Sequence, residues 1–396
     1  MEAIGLFATG VLVGYVAWLR ADFLVGVLIL PFVANYATRR WSTFAMTFGY
    51  FGAGNIELPD IVGRFFAHPN PLVQFVAPLA LTALLAAPFL IYAAGARPWV
   101  RILTWFAALL VLSVPPVGLF AWHNPLFLAG SLYPHAGLLG IVLTALLLAT
   151  MAGLRGRVGP RAGLLAALMA ASGFYAVHYA HFAMGTPAVN WGAVPTNAPP
   201  ASTPHAQTER TAAAIRIMHE AIPLSGFSAF VFPESTIEPY RPVDELMLFE
   251  PSNLAAKHHE ALVFGAVIED GHGGWRDVVM GAGTMANQDG TPRILTDARV
   301  PMPVGNWHLG LPGGAPLHAF STDRGTIGNS PVAWSICYED TILWPHWFLL
   351  TGNPAALVAL DDDWVLSGTR AARAQAISAH QLARMAGVLL VDAVND

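Results

Sequence analysis

Two short stretches of this chain carry the residue types for covalent chemistry. The first is Ser335-Ile336-Cys337-Tyr338-Glu339-Asp340, which holds the one cysteine of the 396 residues. A lone cysteine forms no internal disulfide. It follows the apolar, strand-like run Val332–Ile336 and precedes acidic residues, so a strand gives way to a turn at the thiol, a position that suits a nucleophile. Taken alone, it reads equally as a small buried hydrophobe. The second stretch is Phe230-Val231-Phe232-Pro233-Glu234-Ser235, where an apolar strand delivers a carboxylate at its end. Strand ends are where α/β folds put chemistry. Beside an apolar strand and a proline, Glu234 is expected to be partly desolvated, with its pKa raised toward the range where it takes a proton from a thiol. A solvated turn glutamate is the other reading. His178 and His181, three apart on a predicted helix, lack a third ligand and read as interhelical hydrogen-bonding groups before they read as a metal site.

The elements that must hold these residues differ between the two halves. Only 11% of residues are charged, against about 25% in ordinary soluble domains, and 55% are hydrophobic. Mean hydropathy is +0.52, which indicates a membrane protein. Residues 1–184 carry nine Arg and four acids, while 185–396 carry ten Arg, one Lys and 21 acids; +5 and −10 sum to the net −5. A basic, apolar half is followed by an acidic, soluble-looking one, with too little clustered positive charge for a nucleic-acid partner.

Apolar runs at 3–19, 23–38, 72–95, 102–122, 137–154 and 162–184 approach the roughly 20 residues that cross a hydrocarbon core as helix. The stretch 41–58 is a seventh candidate. Arg97 and Arg101, then Arg155, Arg157 and Arg161, mark two inside loops around the Arg-free outside segment 123–136. Seven spans place Arg39 and Arg40 inside as well; six leave that pair outside. With no basic start or small-residue cleavage site, the first run reads as a retained helix.

After Met184, Gly185-Thr186-Pro187 and the Pro-rich 197–204 break helix and begin the second domain. Strand-like runs (Phe227–Phe232, Leu262–Ile268, Val332–Ile336, Ala356–Leu360, Val388–Val391) alternate there with helix-like runs (Thr208–Ala221, Leu254–Ala261, Thr369–Ala386). Asn287-Gln288-Asp289-Gly290 reads as a hairpin turn. The alternation predicts an α/β layered domain.

The Pro-Glu after one strand, the Cys-Tyr-Glu after another, and the later runs Asp361-Asp362-Asp363-Trp364 and Ala383–Asn395 resemble the carbon–nitrogen hydrolase (nitrilase) superfamily over about 190–396. With a multi-span half in front, the chain resembles the TraB family of conjugal transfer proteins, related to the apolipoprotein N-acyltransferases. The resemblance implies an αββα sandwich and a Glu–Lys–Cys triad, with Glu234 as general base and Cys337 as nucleophile. The lysine is missing. In Asp297-Ala298-Arg299-Val300-Pro301-Met302-Pro303-Val304-Gly305-Asn306 the nearest cation is Arg299, and Asn306 stands where the family loop has Glu. An arginine could stabilise an oxyanion but does not donate a proton. The one lysine, Lys257, reads as a solvated side chain. Glu339 matches the family's Cys-Tyr-Glu and is expected to support the site. The aromatic run Ile342–Leu350 would either dip into lipid headgroups or pack as a core helix. The acyltransferases continue beyond the point matching Asn395.

The expected protein is a multi-span α-helical membrane domain (1–184) followed by an α/β nitrilase-like αββα domain (185–396), multi-pass in the bacterial inner membrane with the second domain periplasmic. The expected activity is thiol acyl transfer or amide hydrolysis through a Cys337 thioester, with membrane phospholipid as acyl donor and conjugal transfer proteins as partners. This covalent route needs no metal or organic cofactor. A nitrilase-type interaction module with a broken triad is the alternative. Transport is a distant third, because the apolar half holds only Asp22, Glu57 and Asp60 as acids beyond Glu2.

Overall fold

The computed structural model describes residues 1–67, 69–154, 172–173, 189–198, 201, 203–222, 226–269, 273–303, 305–307 and 314–396. The chain forms two compact units: 1–185 with 341–344 and 368–387, and 186–340 with 345–367 and 388–396.

In the first unit, helices Glu2–Ala17 and Arg40–Gly54 pack closely because glycines line their seam. A Cβ on Gly10 would lie 1.8 Å from the Met46 carbonyl oxygen, and one on Gly14 would lie 2.2 Å from that of Tyr50. With no side chain at these two positions, the backbones of the two helices can meet directly. Other helices of this unit include Leu58–Phe65, Pro71–Ala86, extended to Ile91 by a 3₁₀ turn, Pro98–Ser113 and Gly137–Ala152. Among the described residues one helix, Pro71–Ile91, is long and apolar enough to cross a membrane, and Pro125–Leu132 with Gly137–Ala152 forms a pair bent by 116°. The run 23–38 is not one helix: a 3₁₀ segment, Ala21–Leu28, precedes the short helix Ile29–Ala34. The last apolar run, 162–184 apart from 172–173, and the His178/His181 pair lie outside the described residues. Helix Arg370–Ala386 groups with this unit, where the Arg384 carbonyl accepts from the His135 N–H at 2.8 Å.

The second unit is an α/β domain with two mixed sheets. One has the order β1 (Trp191–Ala193), β2 (Ala229–Val231), β3 (Ala261–Glu269), β4 (Trp275–Gly283), β5 (Arg293–Asp297). The other has β6 (Arg324–Ile327), β7 (Ser330–Ile336), β8 (Ala356–Asp362), β9 (Leu389–Asn395). Strands β2, β3, β7 and β8 are nearly all apolar and are buried along most of their length rather than on alternate residues, as strands covered on both faces must be. Val231, Val263 and Val279 of the first sheet share one core with Val332, Trp334, Val358 and Leu360 of the second, so the sheets face each other. The outer face of the first sheet packs Phe230, Phe264 and Met280 against Met218 and Leu248 of helices Pro204–Ala221 and Pro242–Lys257. The hairpin expected at Asn287–Gly290 joins antiparallel β4 and β5, with Gly290 at φ +85°.

Candidate active site

Glu234 and Cys337, 103 positions apart in sequence, meet in the second unit. The strand β2 ends at Val231, and the next residues run along β3: the Gly265 N–H donates to the Pro233 carbonyl at 3.0 Å, and the Ile237 N–H to the Gly265 carbonyl at 3.3 Å. Gly265 is required by this close approach, since a Cβ there would lie 2.5 Å from Cα of Glu234. Cys337 follows β7 directly, at φ +49°, in the left-handed region that a cysteine seldom adopts. Such strain persists only where the surroundings impose it and is commonest at functional sites. The Cys337 and Glu234 side chains are neighbours, and each shifts the protonation of the other.

Both groups are shifted the same way. Burial pushes the Glu234 carboxyl well above its ordinary range, and Asp277 and Asp362 add to the effect. Burial likewise pushes the Cys337 thiol up, with Glu234, Asp361 and Asp363 adding to it. The resting site therefore holds a thiol, not a thiolate.

Arg299, which the sequence assigns to the oxyanion, is 2% exposed and engaged elsewhere. Its guanidinium donates to the Pro345 carbonyl at 2.6 Å, to the Trp334 carbonyl at 2.8 Å and to the Glu339 carboxylate. Glu339, fully buried, also accepts from the N–H groups of Arg299 (2.5 Å), Val300 (3.0 Å) and Ile336 (3.3 Å). This pair ties the 299–300 segment to the end of β7, one residue before the nucleophile. The Glu339 carbonyl lies 2.9 Å from Nε2 of buried His346, whose pKa is lowered by burial and then by Arg299. Asn306 donates to Asp277 at 2.9 Å. Lys257 ends its helix in an exposed position.

Several groups at the site carry no sequence signal of their own. Arg210, on helix Pro204–Ala221, donates to the Ser235 carbonyl at 3.1 Å and lies 3.5 Å from Asp362 and 3.8 Å from Glu238. Burial raises Glu238 and Asp277 each to about 6. Asp340, Asp361 and Asp392 form a buried carboxylate cluster in which Asp340 and Asp392 raise the pKa of Asp361, and among the described residues neither side-chain oxygen of Asp340 has a hydrogen-bond partner. Burial and then Asp392 push Asp340 to about 8 and Asp363 to about 7. Only the run 361–363 among these stands out in the sequence. Among the described residues no cluster of His, Cys, Asp and Glu has the geometry to hold a metal ion. In the aromatic run, Ile342, Leu343, Trp344 and Leu349 are buried and Trp347 is exposed.

No family model matches the chain. It is 27% identical over 414 residues to conjugal transfer protein TraB of Agrobacterium fabrum, covering 98% of this chain and 92% of that protein. It is 26% identical over 399 residues to a protein of Sinorhizobium fredii named probable conjugal transfer protein TraB, covering 98% and 97%. Solved structures similar to part of it include an amidase of the nitrilase superfamily from Nesterenkonia (TM-score 0.33, 13% identity, 53% of this chain and 79% of that one) and a carbon–nitrogen hydrolase from Helicobacter pylori (TM-score 0.29, 12% identity, 42% and 57%). The chain is thus similar over 98% of its length to conjugal transfer proteins named TraB.

Proposed function

We propose that this chain is a membrane-bound thiol acyltransferase or amidase of the nitrilase type serving plasmid conjugal transfer, with residues 1–184 spanning the inner membrane and 185–396 on its periplasmic side. The observation that carries the chemistry is that Cys337, strained at the end of β7, and Glu234, just past the end of β2, are neighbours that shift each other's protonation. The Cys337 sulfur attacks the acyl carbon as its proton passes to Glu234. The tetrahedral adduct then collapses to a thioester, and the leaving group departs with the Glu234 proton. Water or an amine, deprotonated by Glu234, attacks the thioester and frees the thiol. Arg299 acts as a positioning residue: with Glu339 it fixes the backbone at Ile336 and so the nucleophile.

The test is intact-mass measurement of the full chain after incubation with bacterial phospholipids or simple amides. An acyl mass increment is expected for the wild type, absent in Cys337→Ala and strongly reduced in Glu234→Gln. The second reading, an interaction module of the conjugal apparatus, is favoured by the engagement of Arg299 with Glu339 and two carbonyls, in place of a catalytic lysine. That reading takes over if no adduct forms and Cys337→Ala supports conjugation at wild-type frequency.

A further inference from the structure

The arginines of the first unit outnumber the carboxylates available to them. Residues 1–185 contain nine arginines and four acids, Glu2, Asp22, Glu57 and Asp60. Three of the acids are engaged: Glu2 accepts from the Thr38 N–H and Oγ1 at 2.7 Å each, Asp22 lies 3.9 Å from Arg20, and Glu57 accepts from the Arg370 N–H at 2.6 Å. Arg101 is 1% exposed, yet its guanidinium donates to neutral acceptors, the Tyr92 hydroxyl at 2.8 Å and the Asn35 side-chain oxygen at 2.7 Å. Among the described residues no carboxylate lies within ion-pair distance of Arg39, Arg40 or Arg101. A buried cation held by neutral groups favours an anion close by.

There is room for one. Tyr92 also lines a cavity of about 530 Å³ between Thr38–Trp41 and the turn Leu90–Ala96. That is many times the roughly 30 Å³ share of a water molecule. Arg39 and Arg40 stand on one side, at the start of helix Arg40–Gly54, where no side chain of the N-cap residue satisfies the first-turn N–H groups. The Glu2 carboxylate, bonded to Thr38 and Ser42, offsets one of the positive charges. Trp41 of the cavity lining is exposed, as are Tyr36, two residues before Thr38, and Trp99, two residues before Arg101. Aromatic residues of this kind collect at the headgroup level of a bilayer.

We propose that this cavity binds the phosphate of an anionic phospholipid headgroup, with Arg39 and Arg40 donating to its oxygens and buried Arg101 reinforcing the field from behind Tyr92. The proposal rests on the membrane reading, which cell fractionation tests by itself. The experiment is native mass spectrometry of the full chain in detergent, titrated with phosphatidylglycerol, phosphatidylcholine or inorganic phosphate. It is repeated for Arg39→Gln/Arg40→Gln and for the charge-matched control Arg20→Gln/Arg64→Gln. At about 1 kcal/mol per arginine near an anionic surface, losing both should weaken phosphatidylglycerol binding by about 25-fold. The expected result is preference for phosphatidylglycerol over phosphatidylcholine, lost in the first variant and kept in the control. Inorganic phosphate binding with the same loss, and no lipid preference, would reassign the site to free phosphate. Equal phosphatidylglycerol binding by wild type and first variant, or an equal loss in the control, overturns the proposal.

Discussion

Replacing Glu339 by Gln removes one charge and almost no volume. In the native chain that carboxylate accepts from the Arg299 guanidinium and from three main-chain N–H groups. The variant keeps one amide oxygen as an acceptor but leaves the buried guanidinium without a counter-charge, beside the Pro345 and Trp334 carbonyls, and points an NH2 at groups that also donate. Removing one partner of a buried ion pair costs about 3–5 kcal/mol. At about 2–4 °C per kcal/mol for a unit of this size, the melting midpoint should fall by roughly 10 °C. The assay is tryptophan fluorescence during a thermal ramp of the full chain, alongside acyl-adduct formation. An apolar replacement of both partners, Arg299→Met/Glu339→Leu, leaves no uncompensated charge but strands the N–H groups of residues 299, 300 and 336, so it should recover only part of the midpoint. Adduct formation should recover with it if Arg299 only positions the nucleophile. An oxyanion donor would behave differently: the double variant would regain that part of the midpoint and still react about a hundred- to a thousand-fold more slowly. That outcome, or an unchanged midpoint in Glu339→Gln, would refute the positioning role.

Gly265→Ala drives a methyl into the backbone at Glu234, 2.5 Å from its Cα and 2.8 Å from the Pro233 oxygen, so adduct formation should drop by about a hundredfold through misplacement of the base; a wild-type rate would show that Glu234 does not act from this position. Asp340, raised to about 8 by burial and then by Asp392, is protonated in the fold while the unfolded chain ionises near pH 4. Its stabilising effect is complete below the unfolded value and is lost at about 1.4 kcal/mol per pH unit as pH rises toward 8, so Asp340→Asn should melt with a flatter pH dependence than the wild type. Parallel curves would contradict this. Asp277 is the second cause, after burial, of the raised Glu234 pKa, so in Asp277→Asn the acid limb of the rate should move to lower pH; a limb that stays put removes Asp277 from the site's electrostatics.

The strands and the pair Glu234/Cys337 were legible because each strand is a short apolar run that ends at a polar break. The five strand-like runs map onto β2, β3, β7, β8 and β9. Helix Pro242–Lys257 was visible only in its last turn: Pro251 inside it and its nearly uniform mix of polar and apolar residues hide the 3.6-residue period. β1 has three residues and presents no run to read. The role of Arg299 was not legible either. Spacing from a motif shows that a cation is nearby, but only coordinates show which acceptors fill its five N–H groups. Asp277, Asp340 and Asp392 look like ordinary charges on strand ends, and nothing local distinguishes a solvated aspartate from one buried by a facing sheet. In the N-terminal half, apolar length predicted spans, but the run 23–38 is a 3₁₀ segment followed by a short helix, a break that apolar length alone does not reveal.

The electrostatics of the site bear on how a thiol with a raised pKa can react. Moving the proton from Cys337 to Glu234 exchanges one anion for another and leaves the net charge of the pair unchanged. Burial penalises thiolate and carboxylate alike, so what governs the transfer is the difference between the two pKa values, not either value alone. The carboxylates are divided accordingly: Asp277, Asp362 and Glu238 act on the base, Asp361 and Asp363 on the thiol. Those acting on the base make it a stronger proton acceptor and help the reaction, whereas those acting on the thiol oppose the thiolate. A permanent cation beside the sulfur would stabilise the thiolate in the resting state. Here the guanidinium of Arg299 is spent on Glu339, so the negative charge on sulfur is best relieved by forming the carbon–sulfur bond. The arrangement suits a thiol that stays protonated until an acyl carbon is in place, which protects it from oxidation and stray alkylation between turnovers.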